Sequence, residues 1–408
     1  MLKAYKYRIY PNDEQKTLMA KTFGCCRLIY NLALETKIRL YKDHKISLSA
    51  FDLINQFSEL KKDKEYSWLN EPYSHSIQSS IRQVGSAYDN FFKHGTGFPK
   101  YKKRCNRQSF SCPDGPRKID FEKSLLTIPK IPNIPIRLDG RKIKGKIRTV
   151  TISKTPTDKY FASILVDNEQ ALPQKQPITP ETTIGIDLGI TDLAILNDGR
   201  KFDNPKFLKQ ALERLKILQR RASKKKKGSN NQKKAYRLVA AQHEKVKNRR
   251  QDNLHKLSTM LVRENQAHTF CIEDLAVSNM VKNHSLAFNI SDVGWAEFIR
   301  LLKYKCEWAG KNVVAIGRFE KSTKTCSECN AVNDTLTLKN REWLCGSCGT
   351  LHDRDVNAAR NIKNMGLEKI LKKNSEEESR AGHVQKGCGA KQNTAGVEAG
   401  SQVKVSTS

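Results

Sequence analysis

The chain has 408 residues, 38% of them hydrophobic, and a formal net charge of +32 at pH 7 with a pI near 9.7. That length supports two or three domains with a sizeable core. Such a charge opposes compaction unless a polyanion offsets it, so nucleic acid is the expected partner and an anionic membrane surface the rival. No apolar run approaches the roughly 18 residues of a spanning helix, and the first residues carry no secretory h-region. Of 11 cysteines only four cluster at metal spacing, which favours a reducing, cytosolic setting over a disulfide framework.

Residues 2–10 alternate like a strand and stop at Pro11. Asn12 is placed to cap a helix running to residue 42, and Ser47 or Ser49 a second one to about residue 62. A third helix is expected over 75–93, stopped by Gly95-Thr96-Gly97-Phe98-Pro99 and followed by the basic stretch 100–104. From 118 to 166 the period becomes strand-like, in runs 124–128, 146–152 and 160–166. These runs and the first strand read as one β-barrel-like domain with the helices inserted into it. Pro173, Pro177 and Pro180 mark a linker. A hairpin is then expected around Gly189, from strands 183–188 and 193–196. Two basic helices follow, 208–221 and 233–264, joined by a Lys-rich loop. Strands are expected over 268–272 and 313–316, with a helix over 295–310 between them, and a last helix over 355–365.

Two CxxC pairs, Cys326-Ser327-Glu328-Cys329 and Cys345-Gly346-Ser347-Cys348, have the spacing of a zinc ribbon. Four thiolates leave no open position on zinc, so the ion is expected to stabilise and not to react. Trp343 and Leu336 would pack the module; His352 is a fifth candidate for the zinc site, but reads rather as solvent-facing or near an active site.

Three acidic positions stand out. Asp187 ends an apolar strand in Ile184-Gly185-Ile186-Asp187-Leu188-Gly189. Glu273 and Asp274 both follow the apolar run 270–272, and either could point inward. Asp355 begins the last helix, where Asn357, Ala358 and Ala359 leave room for close packing. Each alone also fits a salt-bridged, turn or capping acid. In this order, strand, strand, helix, they match an RNase H-like fold of RuvC type, whose acids converge on two Mg2+ ions for phosphodiester hydrolysis. Lys224 and Lys225 of the loop, Arg220 and Arg221 before it, and Arg249 and Arg250 after it are expected at phosphates, as are Lys100 and Lys102.

Over residues 1–366 the chain resembles TnpB, the OrfB-type proteins of small bacterial insertion sequences, relatives of type V CRISPR effectors. The motifs that carry this are Tyr7-Arg8-Ile9-Tyr10-Pro11, Arg27-Leu28-Ile29-Tyr30-Asn31, Ala87-Tyr88-Asp89-Asn90-Phe91-Phe92 and Gly97-Phe98-Pro99-Lys100-Tyr101-Lys102. Further on they are Gly185-Ile186-Asp187-Leu188-Gly189, Ile290-Ser291-Asp292-Val293-Gly294-Trp295, both CxxC pairs, and Asp353-Arg354-Asp355-Val356-Asn357-Ala358-Ala359. The resemblance implies an α/β multidomain RNA-guided DNA endonuclease: an N-terminal wedge-like β-barrel with a helical insertion, then a RuvC nuclease domain with an inserted zinc ribbon. The implied boundaries are 1–10 with 95–170 for the barrel, 11–94 for the insertion and 171–182 for the linker. The nuclease domain takes 183–320 with 352–366, the ribbon 321–351, and a flexible tail 367–408. By motif position the catalytic, magnesium-binding acids are Asp187, Glu273 and Asp355, with Asp353 in support; Gln78 falls in the region that reads the target-adjacent motif. The implied partners are a guide RNA from the transposon end and matched double-stranded DNA with its adjacent motif. One protein per RNA, in the bacterial cytoplasm and nucleoid-associated on DNA, completes the expectation. Asn330 stands where the family has Gly after the first CxxC; Asn tolerates the left-handed conformation needed there. The competing reading is a non-catalytic, nucleic-acid-binding regulator of transposition. A strand-transferring transposase ranks lower, because no His-x-His pair is present.

Overall fold

The computed structural model describes residues 1–105, 107–140, 143–263, 266–318, 320–337 and 340–386. The chain divides into two compact units, Met1–Leu172 with Gln210–Asn248, and Pro173–Lys209 with the chain from Arg249 onward.

The first unit opens on β1 (Leu2–Ile9), which buries Tyr7 and Ile9. α1 (Asp13–His44) starts at Asn12, whose side chain accepts the Gln15 N–H while Gln15 reaches back to the Asn12 N–H, a capping box. α2 (Ala50–Leu60) is capped the same way by Ser49 and Asp52. A short 3-10 turn, Lys64–Asn70, leads to α3 (Ser74–His94), which ends where Gly95 adopts a φ of 60°. Six strands follow: β2 (Gln108–Cys112), β3 (Lys118–Asp120), β4 (Leu125–Ile128), β5 (Ile131–Arg137), β6 (Lys146–Lys154) and β7 (Tyr160–Asp167). They join β1 in a seven-stranded antiparallel sheet of order β2-β6-β7-β1-β5-β4-β3. No pairing joins β2 to β3 among the described residues, so the hydrogen bonding is that of a sheet and does not close as the expected barrel. β5 was hidden in the sequence by Pro132 and Pro135, which usually exclude a strand; Pro135 takes part through its carbonyl, which accepts from the Tyr10 N–H at 2.8 Å. Helices and sheet share one core, with Phe23, Ile29, Ile77 and Ile81 against Ile9, Ile152 and Ile164.

The second unit begins with β8 (Thr183–Asp187), β9 (Asp192–Leu196) and β10 (Lys201–Asp203). α4 (Phe207–Ser223) and α5 (Asn230–Arg263) follow as the two long basic helices; residue 264, the expected end of the second, lies outside the described residues. The portion Gln210–Asn248 belongs to the first unit, although the family resemblance implied one nuclease domain over 183–320. Polar ties make the difference: Glu244 accepts from Lys159 at 3.0 Å and Arg237 pairs with Asp158 at 3.4 Å.

β11 (Thr269–Ile272) leads through α6 (Val277–Met280) and α7 (His284–Val293) to α8 (Trp295–Trp308) and β12 (Asn312–Ala315). The small hairpin β13 (Glu342–Leu344) and β14 (Leu351–Asp353) precedes α9 (Arg354–Lys386). The main sheet has the order β10-β9-β8-β11-β12, antiparallel up to β8 and parallel from β8 to β12. Its core gathers Ile186, Phe270, Phe298 and Leu302. α9 continues to Lys386, through the start of the tail expected from residue 367; residues 387–408 lie outside the described residues. Among the described residues no helix is long and apolar enough to cross a membrane.

Candidate active site and metal centre

β8 and β11 are parallel neighbours with Ile186 opposite Ile272. The next residue on each chain is therefore Asp187 and Glu273, side by side at the carboxyl ends of adjacent strands. Glu273 is half-buried, and its Oε1 accepts from the Ser322 hydroxyl at 2.7 Å. Asp274 is exposed and pairs with Arg318 at 2.7 Å. Of the two acids after β11, Glu273 thus stands beside Asp187 and Asp274 is turned to Arg318.

Asp355 comes to the same place on the first turn of α9. Burial, then the neighbouring charges of Glu273 and Asp355, push the Asp187 carboxyl up to about 7. The helix can come this close because Gly185 has no side chain: a Cβ there would run into the Ala359 carbonyl and stand 2.8 Å from the Lys363 amide nitrogen.

Asp355 is held on both oxygens. Arg341 donates to Oδ2 at 3.0 Å, and Arg354 to Oδ1 at 2.9 and 2.7 Å. Asp353 stands at the helix cap, its Oδ1 accepting the Asp355 and Val356 N–H groups at 3.0 Å. Its Oδ2 accepts from Lys201 at 2.6 Å. Burial pulls the Asp353 pKa up, but Lys201 and the two backbone N–H groups more than offset it and hold it below the usual carboxylate range. Arg341 and Ser322 were missed from sequence because neither lies in a strand or helix pattern; their positions follow from the loops around the cysteine module.

The four cysteine sulfurs lie within 4.8 Å of one another. Cys326 and Cys348 are 3.7 Å apart and Cys329 and Cys345 are 3.6 Å apart. Tetrahedral zinc with sulfurs at about 2.3 Å requires sulfur–sulfur distances of ~3.8 Å, so the donor set fits that ion. Both turns are built alike. Asn330 takes φ 62° and donates to the Cys326 carbonyl at 3.0 Å; Gly349 takes φ 72° and donates to the Cys345 carbonyl at 2.9 Å. Asn330 therefore serves as glycine would. Trp343 and Leu336 pack the module with Cys326 and Cys345.

His352 is buried and not solvent-facing: it lies against Trp343 with ring centres 4.8 Å apart, its Nε2 3.1 Å from the Cys326 sulfur. Asn357 is also more than a spacer. Its side chain donates to the Thr325 carbonyl at 2.7 Å and accepts the Ser327 N–H at 2.9 Å, and Asn361 donates to the Ser322 and Thr325 carbonyls at 2.7 and 2.6 Å. Helix α9 thus grips the chain entering the first cysteine turn.

Arg220, Arg221, Lys224, Lys225, Arg249 and Lys100 are exposed, and Gln78 is half-buried on α3. Two residues expected at phosphates are used internally. Lys102 donates to Gln83 at 2.7 Å and lies 3.9 Å over the Tyr30 ring. Arg250 is turned onto buried Asp292 at 3.2 Å, a carboxylate that also accepts the Leu208 and Lys209 N–H groups at the start of α4. Helical periodicity could not show this inward turn, because the partner is distant in sequence.

The chain is 40% identical over 372 residues to a Streptomyces pristinaespiralis protein named "Putative RNA-guided DNA endonuclease", covering 90% of this chain and 89% of that one. It is 32% identical over 377 residues to "Putative RNA-guided DNA endonuclease InsQ" of Escherichia coli (strain K12), covering 88% and 91%. "TnpB-like protein L79" of Acanthamoeba polyphaga mimivirus is 24% identical over 388 residues, covering 89% and 73%. This chain belongs to the TnpB family. Its residues 163–284 match the family described as "Probable transposase" (OrfB_IS605), and residues 295–362 match "Cas12f1-like, TNB domain". A "Helix-turn-helix domain" (HTH_OrfB_IS605) matches residues 1–45, where this TnpB relative has β1 and the single helix α1. The protein in "Cryo-EM structure of the Cas12f1-sgRNA-target DNA complex" shares the fold, with TM-score 0.56 at 14% identity over 89% of this chain and 98% of that one.

Proposed function

We propose that the chain is an RNA-guided DNA endonuclease that hydrolyses a phosphodiester at Asp187, Glu273 and Asp355, in a RuvC-type domain of RNase H-like fold. The observation that carries this reading is the convergence of three carboxylates from β8, the end of β11 and α9, where the charges of Glu273 and Asp355 add to burial in pushing Asp187 up to about 7. Like charges gathered this way are costly unless a cation joins them. The mixed sheet order, with two acids at the ends of adjacent parallel strands, supports the RNase H-like assignment.

An all-oxygen donor set suits magnesium better than a transition metal. When bound there, two such ions would supply Lewis acidity, an activated water and a clamp on the leaving oxygen. The chain's residues hold and orient that set. Ser322 aims Glu273, Asp353 fixes the first turn of α9 and hence Asp355, and Arg341 and Arg354 balance its charge. Arg341 is exposed enough to exchange Asp355 for a phosphate oxygen. The cysteine module, with zinc, holds α9 in register and leaves no open coordination position for chemistry.

The guide would be an RNA from the transposon end, and the substrate a matched duplex beside a short adjacent motif, with Gln78 on the helical insertion near the motif. Arg220, Arg221, Lys224, Lys225, Arg249 and Lys100 would hold backbone phosphates. One protein would act per RNA, in the bacterial cytoplasm.

The test combines the purified protein, the RNA it carries and a matched duplex in Mg2+. Asp187→Ala, Glu273→Ala and Asp355→Ala should each abolish cutting and keep RNA binding, whereas Asp274→Ala should still cut. Cleavage retained by any of the first three would sink that assignment. An RNA-loaded wild type that never cuts matched DNA would favour a non-catalytic regulator.

A further inference from the structure

Aromatic rings gather where α3 ends. Its last turns carry Tyr88, Phe91 and Phe92, and the chain returns to them at Phe98. Tyr88 and Phe92 lie nearly parallel, 6.2 Å between ring centres and 23° between planes. Phe98 stands edge-on to Tyr88 at 5.7 Å and to Phe91 at 5.5 Å. These rings do not form a closed core: Phe92 is 75% exposed, Phe98 47% and the following Tyr101 46%. Exposed aromatic rings gathered this way are a candidate binding surface.

The charges near it in the chain say for what ligand. Lys100, Lys103 and Arg104 follow Phe98 closely in the chain and are exposed, and the acid Asp89 one residue from Tyr88 is already paired with Lys93 at 3.8 Å. A second copy of this chain would set those cations against their like. Duplex DNA would satisfy the charge but hides its base faces. Unpaired nucleotides match both features, offering flat apolar rings on an anionic backbone. The rings are exposed in the protein by itself, so their occupant should be carried permanently, and RNA meets that condition better than DNA encountered only at a target.

We propose that Phe92 and Phe98 form a stacking platform for unpaired bases of the RNA this protein carries, with Lys100, Lys103 and Arg104 on the adjoining phosphates; this rests on the RNA-guided reading above. Binding of the co-purifying RNA and of a single-stranded oligouridine to the full chain, stripped of nucleic acid, tests it. Phe92→Ala should weaken both by about 5- to 100-fold with an unchanged salt slope and an unchanged melting temperature. Phe92→Trp should restore affinity, and Phe92→Leu, apolar but not aromatic, should not. Lys100→Ala with Lys103→Ala should lower the salt slope.

Wild-type affinity in Phe92→Ala or in Phe92→Leu would overturn the platform. So would a Phe92→Ala defect confined to DNA capture by the RNA-loaded protein, or an RNA-free dimer that Phe92→Ala dissociates. A wild type that binds neither RNA would instead overturn the RNA-guided reading itself.

Discussion

Gly185 lies directly under the Ala359 carbonyl, and that contact sets the distance between β8 and α9. Asp187 is two residues beyond the glycine and Asp355 four residues before the alanine, so the contact also sets how near the two acids come. Gly185→Ala should push the helix off the sheet, at a cost of ~1–3 kcal/mol. Cleavage should fall far more than RNA binding. Thermal melts beside cleavage rates check this; a stable, fully active variant would show that the helix has room to spare.

The raised pKa of Asp187 has a definite sign for stability. The folded chain keeps this proton up to about pH 7, while the unfolded group releases it near its ordinary 3.8. Stability without metal therefore falls as pH rises between those values. Asp187→Asn removes the penalty, and in EDTA at pH 8 it should be more stable than wild type by ~1–3 kcal/mol. At pH 4 the difference should vanish. Mg2+ should raise the melting temperature of wild type and not of the variant. Equal melting of the two proteins at pH 8 would argue against a crowded carboxylate site.

Cys326 belongs to the four-sulfur cluster and also lies 3.1 Å from the His352 ring nitrogen. Cys326→Ser should lose zinc and stability together. His352→Ala should keep all four thiolates yet lower zinc affinity by about 10- to 100-fold. Metal analysis and chelator competition read both effects; a well-folded wild type without zinc would rule out the metal centre.

Asp292 combines a helix cap and an ion pair in one buried carboxylate. Asp292→Ala strands the Arg250 guanidinium and two amide donors of α4, which should cost ~3–5 kcal/mol. Asp292→Asn, keeping the acceptor and losing the charge, should cost less. Denaturant melts of both variants decide it, and equal stability of Asp292→Ala and wild type would show the pair to be unimportant.

The local signals in this chain were strong. Asn12 and Ser49 announced their helices because a cap needs only the next few residues. Asn330 could replace glycine for the same local reason. Prolines concealed β5, since the pattern penalises their missing N–H without knowing that the neighbouring strand asks only for a carbonyl.

The sequence by itself determined the long helices, the cysteine turns and the set of acids available for chemistry, because periodicity, caps and ligand spacing are properties of short stretches. Tertiary structure alone decided that Arg341 reaches Asp355 and that Arg250 turns inward to Asp292, and it sets Glu273 beside Asp187 with Asp274 turned to Arg318. Those choices depend on strand register and on helix α9 lying against Gly185, and contacts between residues far apart in the chain leave no periodic trace in it.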